Sequence, residues 1–320
     1  MKLTLFLTTR ERDDKLRIED ECFDALNKID GVESVQVVTT GPQVVQGSPD
    51  AKKGGHERPV DFQQPIPGVK NIIAVASGKG GVGKSTICVN LALALRQRGA
   101  SVGLLDADIY GPSLHILMNV YARPQPGVKK EIAPVVQHGL KLMSLGFMTD
   151  ADLPVIWRGP IVAGVVKKFL QDVEWGELDY LMIDLPPGTG DAQLTLVQTV
   201  PLTGAVIVTT PSEIALVDAE KGLKMFKQVD APVLGIIENM STFVCPHCNE
   251  KTDIFDSSGG KRISERTSTE LLGQIPLDPK VRADGDQGKP IVRSDIDSPV
   301  TKAFLEVADK ILAKYPSEVK

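Results

Sequence analysis

The chain has 320 residues, 42% hydrophobic and 24% charged, with four cysteines. That balance excludes a disordered, a collagen-like and a disulfide-stapled chain, and leaves room for one large α/β domain with an appendage. A formal net charge of −5 argues against broad electrostatic capture of nucleic acid, so none is expected as a partner.

Residues 2–8 alternate as a strand does, residues 16–28 place Leu16, Cys22, Phe23 and Leu26, followed by Ile29, at helical spacing, and residues 32–38 form a second strand. The expectation is a small β-α-β appendage over residues 1–40. The opening segment meets charged residues too early for the core of a signal peptide, and no uncharged apolar run reaches the ~18 residues that a membrane span needs. A cytoplasmic protein with no membrane partner is expected. From 41 to 68 the composition shifts to glycine, proline, glutamine, serine and lysine, which reads as a flexible linker.

Beyond the linker, strand-like runs at 71–76, 101–105, 180–183, 205–208 and 233–237 alternate with helical patterns, which predicts a doubly wound, mostly parallel sheet in a domain over 69–320. Runs at 141–145 and 271–275 are expected as edge strands. Ligands of such a sheet sit at the carboxyl ends of its strands.

The first of these runs is followed by Gly78-Lys79-Gly80-Gly81-Val82-Gly83-Lys84-Ser85-Thr86, a full G-x4-G-K-[ST] match, and then by a Leu/Ala-rich helical run. This is the context that a phosphate-binding loop requires, and it defines the fold class as that of the P-loop NTPases. The N–H groups of Gly78, Gly80, Gly81, Val82 and Gly83 are expected to cradle the phosphates, Lys84 to bridge their oxygens and Ser85 to hold Mg²⁺. Asp106 and Asp184 end two later strands and point at the same crevice. Mg²⁺, which keeps several waters, suits carboxylates acting directly or through water. A strand-end aspartate can instead cap only the following helix, a reading that the neighbouring phosphate loop disfavours.

Lys79 is not required by the general pattern. With it, GKGGVGKST resembles the deviant Walker A signature of the MinD/ParA/nitrogenase-iron-protein class. Within that class the chain is similar to the Mrp/ApbC family of ATP-dependent iron-sulfur cluster carriers, through DADIYGPS (106–113), WRGP (157–160), WGELDYLMIDLPPGTGD (175–191), IENMS (237–241) and CPHC (245–248). The resemblance implies a homodimer in which Lys79 reaches the partner's nucleotide, as a cation delivered in trans can offset charge on a transferred phosphoryl group. It also implies that Asp108 positions the attacking water, that Thr86 contacts the α-phosphate and that Asn239 meets the adenine edge. The N-terminal piece resembles the second half of a small domain often fused ahead of this ATPase, without the acidic segment expected upstream.

Cys245 and Cys248 supply two thiolates from one tight turn, whereas a tetrahedral Zn²⁺ site or a four-iron cluster takes four. A two-fold dimer would complete the set. A bridging [4Fe-4S] cluster, a bridging Zn²⁺ and a redox dithiol all suit the pair chemically, and the family resemblance favours the cluster. Cys88 and Cys22 are read as structural, and His247 as an exposed polar residue. His56, His115 and His138 lack metal-ligand spacing.

The function that the resemblance implies is an ATPase that holds a [4Fe-4S] cluster between two subunits and passes it to apo-proteins, with a cluster scaffold as a further candidate partner. The alternative is a MinD/ParA-like positioning or partition ATPase, whose cysteine pair binds structural zinc and whose last helical run meets membrane. That run, residues 300–313, carries one apolar stripe and reads instead as a core-docking face. A reductase that keeps its cluster fits a single CPHC poorly.

Overall fold

Short apolar runs bounded by glycine, proline or polar residues build the strands of this chain, which the computed structural model describes over residues 4–6, 38–40, 65–128, 132–148, 159–245, 248, 250–256 and 258–317. The chain divides into two units, Met1–Pro59 and Val60–Lys320. In the first, β1 (Thr4–Phe6) pairs in parallel with β2 (Val38–Thr40), Thr4 opposite Val38. Parallel neighbours need a crossover between them. The helix expected over 16–28, with Cys22, lies outside the described residues, as do positions 41–64 of the expected linker and His56. The last linker positions are folded: Ile66 is 5% exposed, and its carbonyl accepts from the Val69 N–H at 3.0 Å.

The second unit is built on β3 (Val69–Ser77), β4 (Val102–Asp106), β7 (Val135–Gln137), β8 (Leu140–Ser144), β9 (Leu178–Asp184), β10 (Gly204–Thr209), β11 (Val233–Val244), β12 (Lys251–Thr252) and β13 (Leu271–Leu277). A separate antiparallel pair joins β5 (Gln125–Pro126) to β6 (Ile132–Ala133). The large sheet runs β12-β11-β10-β3-β9-β4-β8-β7, and β13 also pairs with β11. Every pairing among β13, β11, β10, β3, β9, β4 and β8 is parallel; β7 and β12 add antiparallel partners. The doubly wound reading of the sequence holds. One detail is corrected: β8 is no edge strand, because the polar turn at His138-Gly139 folds β7 back against it.

β9 and β10 are buried along their whole length, as expected for parallel strands covered on both faces. One face carries α1 (Lys84–Gln97), α8 (Ile291–Ser294) and α9 (Pro299–Lys314). The other carries α3 (Gly159–Asp172), α4 (Asp191–Thr199), α5 (Glu213–Gln228) and α6 (Gly259–Thr267), packed around Trp175 and Phe226. Two short helices, α2 (Leu114–Leu117) and α7 (Pro279–Asp286), stand near strand ends.

Helix α9 starts where Ser298 accepts the Thr301 N–H at 3.0 Å and Pro299 takes the first turn, where it loses no hydrogen bond. Its stripe of Val300, Phe304, Val307 and Ile311 is at most 1% exposed and packs with α1 and β13. The stripe read from the sequence is therefore a core face. No helix among the described residues is long and apolar enough to cross a membrane.

Candidate functional site

The phosphate loop joins the carboxyl end of β3 to the first turn of α1. Gly81 and Gly83 have φ of 80° and 84°, a left-handed conformation that glycine adopts without the penalty a side chain would bring. At Gly83 space adds a second constraint: a Cβ there would lie 2.3 Å from Asn239 Nδ2. Gly78 is held against α5, since a Cβ would meet the Asp218 carbonyl at 2.2 Å. Gly80 is open, Val82 is buried, and Ser85 and Thr86 are half-buried.

Lys84, 6% exposed, points back across the strand ends, with Nζ 2.5 Å from Asp184 Oδ1 and 3.9 Å from Asp108 Oδ2. It also donates to Ser85 Oγ at 3.4 Å. Parallel register places Asp106 beside Asp184 at the ends of β4 and β9. The structure thus brings Lys84, Ser85, Asp106, Asp108 and Asp184 together at one crevice.

Asp106 has a part that the sequence did not reveal. Oδ1 accepts the Asp108 N–H at 3.1 Å, while Oδ2 accepts from Ser113 N, Leu114 N and Ser144 Oγ at 3.1, 3.2 and 3.0 Å. It therefore anchors the loop that carries Asp108 and the start of α2, and Oδ1 is its less occupied oxygen. Burial first, and then the neighbouring Asp184 charge, lift its carboxyl to about 7, against the N–H of Leu114 and the Lys84 ammonium. Burial also raises Asp108, which the Lys84 charge opposes. Cys88, 0% exposed, is raised by burial and then by Asp184, the behaviour of an inert buried thiol.

Three buried carboxylates thus face a single buried lysine. The donor set consists of oxygen atoms short of positive charge, which fits a hard divalent cation such as Mg²⁺. The carboxyl of Asp106 held near neutrality is the sign of that deficit.

Asn239 lies at the turn of β11 away from β10 and is 9% exposed. Its Nδ2 donates to the Val82 carbonyl at 2.9 Å, so it ties the phosphate loop to β11. It also lines a cavity of about 220 Å³ with Gly83, Thr86, Pro276, Val281 and Arg282. Sequence reading found the Asn239 and Thr86 side of this cavity but not the β13–α7 side. Pro276 ends an ordinary apolar strand, and α7 is marked only by its cap, with Asp278 accepting the Lys280 N–H at 2.8 Å before Pro279.

Lys79 is half-buried, and no side-chain partner for its ammonium occurs among the described residues; its backbone carbonyl accepts from Ser77 Oγ at 2.9 Å. Cys245 and Cys248 flank a turn between β11 and β12, Cys248 being exposed and the Cys245 N–H donating to the Glu250 carbonyl at 3.0 Å. His247 lies outside the described residues. Among the described residues no third histidine, cysteine or acidic side chain joins this pair as a metal site. Earlier on β11, buried Glu238 accepts from the Gly260 N–H and from Gln274 Nε2, the latter at 2.7 Å, and so fixes the start of α6 to β11.

Comparison with known proteins adds four findings. The family model for ParA, described as NUBPL iron-transfer P-loop NTPase, matches residues 68–312. An iron-sulfur cluster carrier protein of Synechocystis sp. is 47% identical, over 98% of this chain and 87% of its own. A nucleotide-binding protein of Archaeoglobus fulgidus, solved in complex with ADP, is 37% identical with a TM-score of 0.66, over 76% of this chain and 96% of its own. The cell division ATPase MinD of Pyrococcus furiosus is 25% identical with a TM-score of 0.58, over 76% of this chain and 99% of its own.

Proposed function

Because the chain belongs to the ParA family of NUBPL iron-transfer P-loop NTPases, we propose that it binds and hydrolyses ATP as a homodimer, holds a [4Fe-4S] cluster between its two copies and delivers that cluster to apo-proteins. The observation that carries this reading is the path of β11. Asn239 holds the phosphate loop through Val82, and six residues on, just past the end of the same strand, Cys245 opens the thiol pair; between them the strand shifts register around Met240, whose φ is 57°. A change in the phosphate loop is thereby relayed to the thiols through one strand.

In the reaction, the phosphates of ATP lie in the loop from Gly78 to Thr86, with Lys84 leaving Asp184 to bridge their oxygens. The adenine occupies the cavity beside Asn239. Ser85 and Asp184 would hold Mg²⁺, with Asp106 reaching it through water. That ion, when bound, neutralises phosphate charge. Asp108 stands beside the transferred group to orient the attacking water, and Lys79, whose ammonium has no partner among the described residues, meets the nucleotide of the second copy. Removal of the terminal phosphate changes the contacts of Asp108 and its loop, and that change loosens the dimer around its cargo. Cys245 and Cys248 of each copy make the tetrad for the cluster.

The test loads the protein with cluster, removes free iron and sulfide, and adds an apo-enzyme that needs a [4Fe-4S] cluster for activity. Activation that requires Cys245 and Cys248 and responds to ATP supports the reading; cluster that stays with the protein under every nucleotide condition contradicts it. A positioning ATPase with a zinc-filled cysteine pair is not favoured, because the apolar stripe of α9 is already committed to α1 and β13.

A further inference from the structure

We propose that the side-chain carbonyl of Gln193 is a second acceptor, working with the carboxylate of Asp108, for the water that attacks the terminal phosphate. The inference deepens the hydrolytic reading above and rests on it. Gln193 lies in the first turn of α4, is 2% exposed, and its Oε1 is shut off from solvent with no hydrogen-bond donor among the described residues. A buried amide oxygen left unpaired is costly, and such orphans are rare in folded proteins. An apolar residue of the same size would relieve that cost, so the carbonyl has a partner at another stage of the protein's cycle.

The surroundings indicate which partner. Gln193 lines a cavity of about 370 Å³ whose other walls include Asp108 and Gly111 from one loop and Pro186 and Gly190 from the other. The same Asp108 has Oδ2 3.9 Å from the phosphate-loop lysine, so the cavity adjoins the place where the terminal phosphate is held. Two acceptors, an amide carbonyl and a carboxylate, border one space, which Tyr110 and Pro187 also line. A water molecule supplies two donors. When both its protons are taken by acceptors, the remaining lone pairs are free to face phosphorus; P-loop NTPases of other classes use a glutamine to orient the water in this way.

The step balances without a further reactant. The water oxygen forms a bond to the terminal phosphorus while the bond from that phosphorus to the bridging oxygen breaks, leaving ADP. Of the two water protons held at the moment of attack, one stays on the phosphate product and one passes to solvent. Gln193 neither gains nor loses a proton. It fixes the direction of attack, and misdirecting a reacting group costs on the order of a hundredfold in rate.

The test compares the native full-length chain with Gln193→Leu and Gln193→Met, which keep bulk and remove the acceptor. Phosphate release, ATP affinity and thermal unfolding are measured on each. The expected result is a kcat lower by about ten- to a hundredfold, KM and ATP affinity within about twofold of native, and a melting midpoint that is unchanged or higher. A purely structural glutamine would show the reverse, a lower midpoint with native kcat, and that result would overturn the proposal. So would a loss of rate that appears in KM alone. A native chain that binds ATP without turning it over would instead sink the hydrolytic reading, and the water site with it.

Discussion

Replacing Lys84 by alanine has a consequence beyond lost phosphate binding. Lys84 is itself structural: its ammonium lies 2.5 Å from Asp184 and 3.9 Å from Asp108, and the Lys84 and Asp184 side chains are each 6% exposed. Truncation leaves Asp184 buried without its cation, next to Asp106 and Asp108. Breaking a buried pair by removing one partner costs about 3–5 kcal/mol. For a domain of this size, each kcal/mol lowers the melting midpoint by about 2–4 °C, so Lys84→Ala should melt about 6–20 °C below native. The double variant Lys84→Ala/Asp184→Asn removes the unpaired charge and should recover most of the loss, a coupling that a double-mutant cycle reads. The assay is thermal unfolding in a chelator without nucleotide. A Lys84→Ala protein that melts within about one degree of native, or a double variant no better than the single, would refute this reasoning.

The same carboxylates set a pH dependence. With its carboxyl lifted from the usual 3.8 to about 7, folded Asp106 keeps a proton that the unfolded chain gives up, so its contribution makes the nucleotide-free protein less stable as pH rises through that window. Asp106→Asn should flatten the slope of unfolding free energy against pH between about 4 and 7, whatever it does to stability overall, and an unchanged slope would contradict the assignment. Gly83→Ala places a Cβ at φ 84° and 2.3 Å from Asn239 Nδ2. The backbone penalty is about 1–2 kcal/mol, and Asn239 must leave Val82, so calorimetry should show markedly weaker ATP binding; native affinity would contradict the role given to Asn239. Ser298→Ala removes the cap of α9 and should cost about 1 kcal/mol in denaturant unfolding while leaving ATP affinity unchanged.

The sheet was legible because parallel strands covered on both faces are continuous apolar runs: β9 and β10 are buried at every position. The phosphate loop was legible because its chemistry needs glycine and lysine at fixed spacing. β7 escaped, since three residues on a partly exposed hairpin carry no such run. The double duty of Asp106 was hidden for another reason. A strand-end aspartate is marked in sequence as a metal or cap residue, but the donors on its oxygens come from residues as distant as Ser144. Gln193 gave no signal at all, because the meaning of a glutamine on a helix depends on whether its carbonyl has a partner. Nor could the cavity beside Asn239 be foreseen on its β13–α7 side, where apolar residues serve as core and as lining alike.

The cargo itself offers the sharpest test. Anaerobic reconstitution with iron and sulfide, followed by iron analysis and solution mass, is run on the native chain and on Cys245→Ala/Cys248→Ala. If two copies share one cluster, the native protein becomes a brown dimer with about four irons per pair, and the double variant stays colourless. A native chain that takes up no iron, or that binds it equally well without its two cysteines, would contradict the assignment of the pair to a bridging cluster.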